Sequence, residues 1–123
     1  MKDFLLVGLG GGIGSMIRYG SNVAIGNKPF PLATLLINIV GSLLIGAVIG
    51  LSIKNETFSN NWKLFLATGI CGGFTTFSAF SVENMQLLQN GKYFLCAAYI
   101  IASVGLGIVA ALLGYRLAMG LEL

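Results

Sequence analysis

Residues 69–81 read GICGGFTTFSAFS. They lie inside a stretch, about residues 62–88, whose length and apolar flanks suit a helix crossing a lipid bilayer. Its centre nevertheless carries paired glycines (Gly72, Gly73), paired threonines (Thr75, Thr76) and two serines (Ser78, Ser81). Lipid has no water to satisfy a broken backbone. Non-helical chain at that depth persists only where protein or a polar path surrounds it. The stretch is about 27 residues, or ~40 Å as a helix, against a hydrocarbon core of ~30 Å. Tilt would absorb the excess. So would a break, and GICGG is where glycines would permit one.

The rest of the chain places this stretch in a membrane protein. The sequence has 123 residues, 56% of them apolar and only 9% charged. Soluble domains carry roughly 25% charged residues, so this chain could not cover a water-facing surface. Four apolar segments appear, at about residues 4–25, 32–53, 62–88 and 93–117, each long enough to span a bilayer. The loops between them, GNKPFP, KNETFSNN and QNGK, hold turn-forming Asn, Gly and Pro. We therefore expect one transmembrane domain over residues 1–123, all-α, with four spans. The amino-terminal apolar run continues to Arg18, past any cleavage-like position, and reads as a retained first span and not a signal peptide.

The net charge of +3 is no nucleic-acid footprint, because the basic residues are scattered near segment ends. In a four-span chain Lys2, Lys54, Lys63 and Arg116 fall on one side, and Arg18, Lys28 and Lys92 on the other. The positive-inside rule needs an excess, and four against three is almost none. Insertion in both orientations, giving an antiparallel pair, and insertion decided by the small bias are both compatible with that count. There is no histidine to shuttle protons or bind metal. Cys71 and Cys96 both fall in apolar segments, as buried thiols and not as a disulfide framework.

Glycine is frequent, at 18 residues. Gly10 with Gly14 and Gly46 with Gly50 form GxxxG pairs. Ser42–Gly46–Gly50 and Ser103–Gly107–Ala111 extend the small-residue spacing that lets helices approach closely. Such rows imply tight packing and oligomerisation. GLGGGIGS is not a dinucleotide loop: Ile13 and Ser15 stand where a third glycine would be required, and no strand precedes it.

Polar groups inside spans mark function unless partnered. Arg18 is either a snorkelling anchor or a charge that holds a loop or attracts anions at a vestibule. Asn38, amid aliphatic residues, has Thr34 one turn earlier on its face. It is either an interhelical hydrogen bond or a donor to a bound anion. Phe77 and Phe80 share a face, with Ser78 and Ser81 on the neighbouring one. In the last segment Tyr99, Ser103 and Gly107 line up, with Tyr99 alternatively an interfacial anchor. Glu83 is a vestibule carboxylate or a solvated end-of-helix charge. The inner spans hold no Asp, Glu or Lys, which a proton-coupled exporter would need. Amide, hydroxyl and ring-edge donors suit a small, strongly hydrated anion, and carbonyls at a break suit a small cation.

With these residues in hand, the chain resembles the Fluc/CrcB family of fluoride ion channels. GICGGFTTFSAF, NIVGS in the second segment, GSMIRYG ending the first, and the four-span length carry the resemblance over essentially the whole chain. It implies an antiparallel, dual-topology homodimer in the bacterial inner membrane, with the third helix broken at mid-membrane. It further implies two fluoride pores at the dimer interface and passive export of cytoplasmic fluoride. By the same resemblance Asn38, Thr34, Phe77, Phe80, Ser78, Ser81, Tyr99 and Ser103 line the pore, and Arg18 and Glu83 sit near its vestibules. Backbone carbonyls of Gly72 and Thr75 would hold a structural sodium ion. Ala79 stands where relatives often carry a hydroxyl. The competing readings are a small multidrug exporter, which lacks its first-span carboxylate here (Asp3 lies at the very start), and a structural membrane subunit. An enzyme would need a nucleophile–base pair or metal cluster that the sequence does not offer.

Overall fold

The computed structural model describes residues 1–26, 30–54 and 60–120. Every regular element among them is helical. Helix α1 spans Lys2–Ile25 and α2 spans Leu32–Lys54. The third segment opens with α3 (Asn60–Lys63), widens into a π-helical stretch (Leu64–Cys71) and tightens into α4 (Gly72–Phe74). Helices α5 (Phe77–Gln89) and α6 (Tyr93–Ala118) complete the chain. Lys28 of the charge count lies outside the described residues, as does most of the KNETFSNN loop.

Local chemistry sets the ends of these helices. Gly26 stops α1 at φ 77°, a left-handed conformation that disfavours side chains, while its N–H still bonds Asn22 O at 3.0 Å. Pro31 precedes α2, where its missing N–H costs nothing, and its carbonyl accepts from Leu35 N at 3.2 Å. The α5–α6 hairpin turns on Asn90–Gly91. Gly91 sits at φ 73° and donates to Leu88 O, and Lys92 donates to Leu87 O at 2.8 Å, a Schellman closure.

Among the described residues three helical stretches are long and apolar enough to cross a membrane: Leu32–Lys54, Asn60–Gln89 and Tyr93–Ala118. Helix α1, expected as a further span, has 24 residues, long enough at ~1.5 Å each, but its glycines and Arg18 leave it less apolar. Large side chains face outward, among them Phe4, Ile101 and Phe94, as expected where lipid is the solvent.

The glycines of GICGG do not interrupt the third segment. They stay helical, and the positive-φ glycines among the described residues are Gly26, Gly91 and Gly120. The interruption comes later. Thr75 (φ −82°, ψ 154°) and Thr76 (φ −151°, ψ 128°) are extended between α4 and α5.

The glycines instead bring backbones together. A Cβ on Gly69 would lie 2.9 Å from Gly10 Cα, and one on Gly73 would lie 2.9 Å from Gly11 Cα. Gly14 meets the backbone of Ile70 and Phe74. Thus α1 docks on the π-helical stretch and α4 with no side chain between. Helices α2 and α6 cross in the same way, through Gly46 on Ala111, Gly50 on Tyr115 and Gly114 on Leu43. The GxxxG rows that pointed to oligomerisation are thereby used within the chain.

Candidate functional site

Helix α5 packs on α6, and a core of Leu35, Leu87, Cys96 and Tyr99 forms beneath it, flanked by Phe30, Ile39 and Phe80. Beside this core the interruption opens a groove of about 430 Å³. One face of α2 supplies Asn38, Gly41, Ser42 and Ile45, at the spacing that stacks residues along a helix. Cys71, Gly72, Thr75 and Thr76 form its floor, Phe77 and Phe80 one wall, and Ser103 with Val104 of α6 the other.

A hydrogen bond joins α2 to the interruption: Thr76 N donates to Asn38 Oδ1 at 3.2 Å. In a continuous helix that N–H would bond Gly72 O. The Gly72 carbonyl is thus left without its helical donor. With the Asn38 oxygen accepting there, its two amide hydrogens are donors that can serve the groove. Thr75 keeps its ties to the first half of the segment: its N–H and its hydroxyl both donate to Cys71 O, at 2.9 and 2.8 Å. Thr76 starts the second half: its Oγ1 accepts from Ala79 N at 3.2 Å, an N-cap. Ser103 Oγ is buried against the groove with no hydrogen-bond partner among the described residues.

The aromatic wall is a continuous stack. Phe77 and Phe80 have centroids 5.8 Å apart, and Phe80 lies 4.9 Å from Tyr99, which meets Phe30 edge-on at 5.5 Å. Phe77, at the outer end, is 78% exposed. Ring edges carry partial positive charge. Among the described residues no carboxylate lines the groove. The groove is mainly apolar, with Ile45, Ala67 and Val104 among its lining, and sets the Asn38 amide and ring edges, which suit an anion, beside the freed Gly72 carbonyl, which suits a cation.

Glu83 lies outside it, against a second cavity of about 400 Å³ that also takes in Thr34, Gln86 and Lys92. Its carboxylate is held from two helices: Thr34 Oγ1 donates to Oε2 at 2.9 Å and Tyr99 OH to Oε1 at 3.0 Å. Arg18 reaches from α1 to the third segment, where its Nε donates to Gly73 O at 3.4 Å.

Of the residues singled out from sequence, Asn38, Gly72, Thr75, Phe77, Phe80 and Ser103 share the groove. Thr34 and Tyr99 gather on Glu83 instead. Ser78 and Ser81 are exposed and do not line the groove, although Ser78 Oγ lies 3.1 Å from Thr76 Oγ1. Sequence reasoning passed over Thr76 and the lining role of Ser42. The N-cap rule marks the first, because a threonine precedes the resumed helix. The second follows from continuing the Asn38 face by one turn. Among the described residues no group of His, Cys, Asp or Glu could hold a metal ion, so a cation here would rest on carbonyl oxygens.

Residues 5–115 match the family described as CrcB-like protein, Camphor Resistance (CrcB). The chain is 47% identical over 120 residues to the "Fluoride-specific ion channel FluC" of Azobacteroides pseudotrichonymphae, covering 95% of this chain and 96% of that one. It is 48% identical over 120 residues to the protein of the same name from Granulibacter bethesdensis, covering 95% and 94%. With that from Thermus thermophilus it shares 44% over 120 residues, covering 95% of each. Together with its long apolar helices, this similarity makes the protein a multi-pass membrane protein.

Proposed function

The chain belongs to the CrcB family, and from that premise we propose that it is a fluoride-selective channel, not an enzyme, through which fluoride leaves the cell down its electrochemical gradient. The observation that carries this reading is the groove. Asn38, Phe77 and Phe80 line it, the unpartnered Ser103 hydroxyl is buried just behind its wall, and among the described residues no carboxylate lines it. Fluoride, the smallest halide and the strongest acceptor among them, exchanges its hydration for these donors. Chloride is larger and gains less from each.

In this reading the working unit is an antiparallel homodimer in the bacterial inner membrane, with the Thr75–Thr76 interruption at mid-membrane and two pores along the interface. Two observations support it. The groove exposes Gly72 and the Phe77 ring, and Ser78 and Ser81 of the same helix are exposed beside it, a mixture poorly suited to lipid and suited to a second copy. Lys and Arg are nearly balanced between the two ends, which favours neither orientation. Glu83 and Arg18 then stand at the approaches to the pore, and Thr34 and Tyr99 serve it by fixing Glu83.

The carbonyls of Gly72 and Thr75 fit a structural sodium ion. Gly72 O has lost its helical donor to Asn38, Gly72 is exposed and has no side chain in the way, and hard cations take oxygen ligands. When bound, such an ion would supply a fixed positive charge beside the groove. The chain's own residues keep these carbonyls from being drawn into a continuous helix: Asn38 by taking the Thr76 N–H, and Thr75 by anchoring to Cys71 O.

The test is efflux from liposomes loaded with fluoride, the potential dissipated by an ionophore and release followed with a fluoride electrode. Rapid fluoride release beside negligible chloride release supports the channel. A folded, sodium-supplied protein that releases neither ion overturns it and restores a purely structural subunit.

A further inference from the structure

Two polar side chains are buried in the described fold, Thr34 at 3% exposure and Asn84 at 8%. Thr34 belongs to the Glu83 cluster. Asn84 lies on neither cavity wall and is joined to none of the residues that carry the channel reading except one. Its Nδ2 donates to Phe80 O at 2.9 Å, one turn back along α5. Its Oδ1 accepts from the Cys96 thiol of α6 at 3.3 Å. The amide cannot be reversed, because the Phe80 carbonyl can only accept. Cys96 is itself buried and stands three residues before Tyr99, the ring against which Phe80 packs.

We propose that Asn84 is a positioning residue for Phe80: its amide ties the Phe80 backbone to Cys96 of α6 and so fixes the angle at which the Phe80 ring meets the groove. The inference rests on the channel reading above. Neighbouring residues of α5 thereby clasp neighbouring turns of α6, Glu83 to Tyr99 and Asn84 to Cys96. The two clasps differ in purpose. The first holds a carboxylate. The second holds no charge and no ligand, in a place where an apolar side chain would suit the surrounding core. A buried amide kept where an apolar residue would pack is explained by the orientation it imposes.

Asn84→Leu keeps the branch at Cγ and removes both side-chain hydrogen bonds, leaving the Cys96 thiol only the backbone carbonyl of that residue at 4.0 Å. The expected result is a folded protein of unchanged oligomeric state whose fluoride efflux falls by about tenfold, the order of one lost hydrogen bond. The decisive readout is coupling: in a Phe80→Ile background Asn84→Leu should cause no further loss, because the ring it orients is gone. Cys96→Ser keeps a donor and should conduct like the parent, whereas Cys96→Val should lose flux. This pair carries the test if Asn84→Leu does not fold. Full efflux from Asn84→Leu, equal efflux from the two Cys96 variants, or a loss that simply adds to that of Phe80→Ile overturns the proposal. Parent protein measured in parallel separates this failure from failure of the channel reading, which would leave the parent silent as well.

Discussion

Asn38 accepts the backbone N–H of Thr76 at 3.2 Å across 38 residues of sequence. One amide thus holds the helix interruption in place with its oxygen and offers its nitrogen to the groove. The interruption and the donor site are one structure, and a change at Asn38 acts on both.

Phe80 is the inner ring of the wall, between Phe77 at 5.8 Å and Tyr99 at 4.9 Å. Phe80→Ile keeps apolar bulk but removes the ring edge. Fluoride efflux should fall at least about tenfold, with no gain in chloride efflux and an unchanged elution volume in detergent. The loss corresponds to about 1.4 kcal/mol of stabilisation for the permeating ion. Normal fluoride efflux from this variant would remove the ring from the path.

The Glu83 carboxylate depends on two hydroxyls, one from α2 and one from α6. Tyr99→Phe and Thr34→Val should each lower stability by about 1.5–3 kcal/mol, the worth of a hydrogen bond to a charged group. The double variant should lose less or more than the sum, because both bonds end on one carboxylate. Denaturation midpoints in detergent measure this, and strict additivity would mean that the two hydroxyls act independently.

Glycine packing predicts a sharp positional contrast. Gly69→Leu would force a side chain against Gly10 Cα, 2.9 Å from the new Cβ, and should cost about 1–3 kcal/mol or prevent folding. Gly8→Ala, with nothing within 4 Å of its Cβ, should leave the thermal midpoint unchanged or slightly raised. Comparable melting of the two variants would contradict the docking of α1 on the third segment.

Thr75 donates its N–H to Cys71 O at 2.9 Å, so Thr75→Pro deletes that bond and the hydroxyl's together. If carbonyls at this point hold sodium, replacing sodium by a bulky organic cation should weaken assembly of the parent protein. Thr75→Pro should show the weakened state even in sodium. Size-exclusion profiles in the two salts decide it, and a parent profile indifferent to sodium would count against the cation.

The helices were legible because apolar runs and Asn–Gly punctuation are local signals, and the Asn90–Gly91 turn forms where QNGK places it. The excess length of the third segment implies an interruption, which the glycines suggest at GICGG and the structure places just after it, at Thr75–Thr76. Glycine permits both an unusual φ and a close helix contact, and sequence alone does not say which use Gly69, Gly72 or Gly73 serves. The partners across the interface, Gly10, Gly11 and Gly14, decide it. Asn38, Phe77 and Phe80 stood out because a lone amide and paired rings are conspicuous among aliphatic residues. Arg18 bonding Gly73 O, or Thr34 meeting Tyr99 on Glu83, leaves no local pattern, because the partners lie tens of residues apart or on three different helices.

The most direct measurement is fluoride efflux from liposomes containing Asn38→Asp beside the parent protein. Aspartate keeps an oxygen for the Thr76 N–H but replaces the amide donors with a negative charge in the groove. The account predicts rapid release from the parent and near-complete loss from the variant, with the two proteins eluting alike. Parent-like fluoride release from Asn38→Asp would contradict it and put the fluoride path elsewhere.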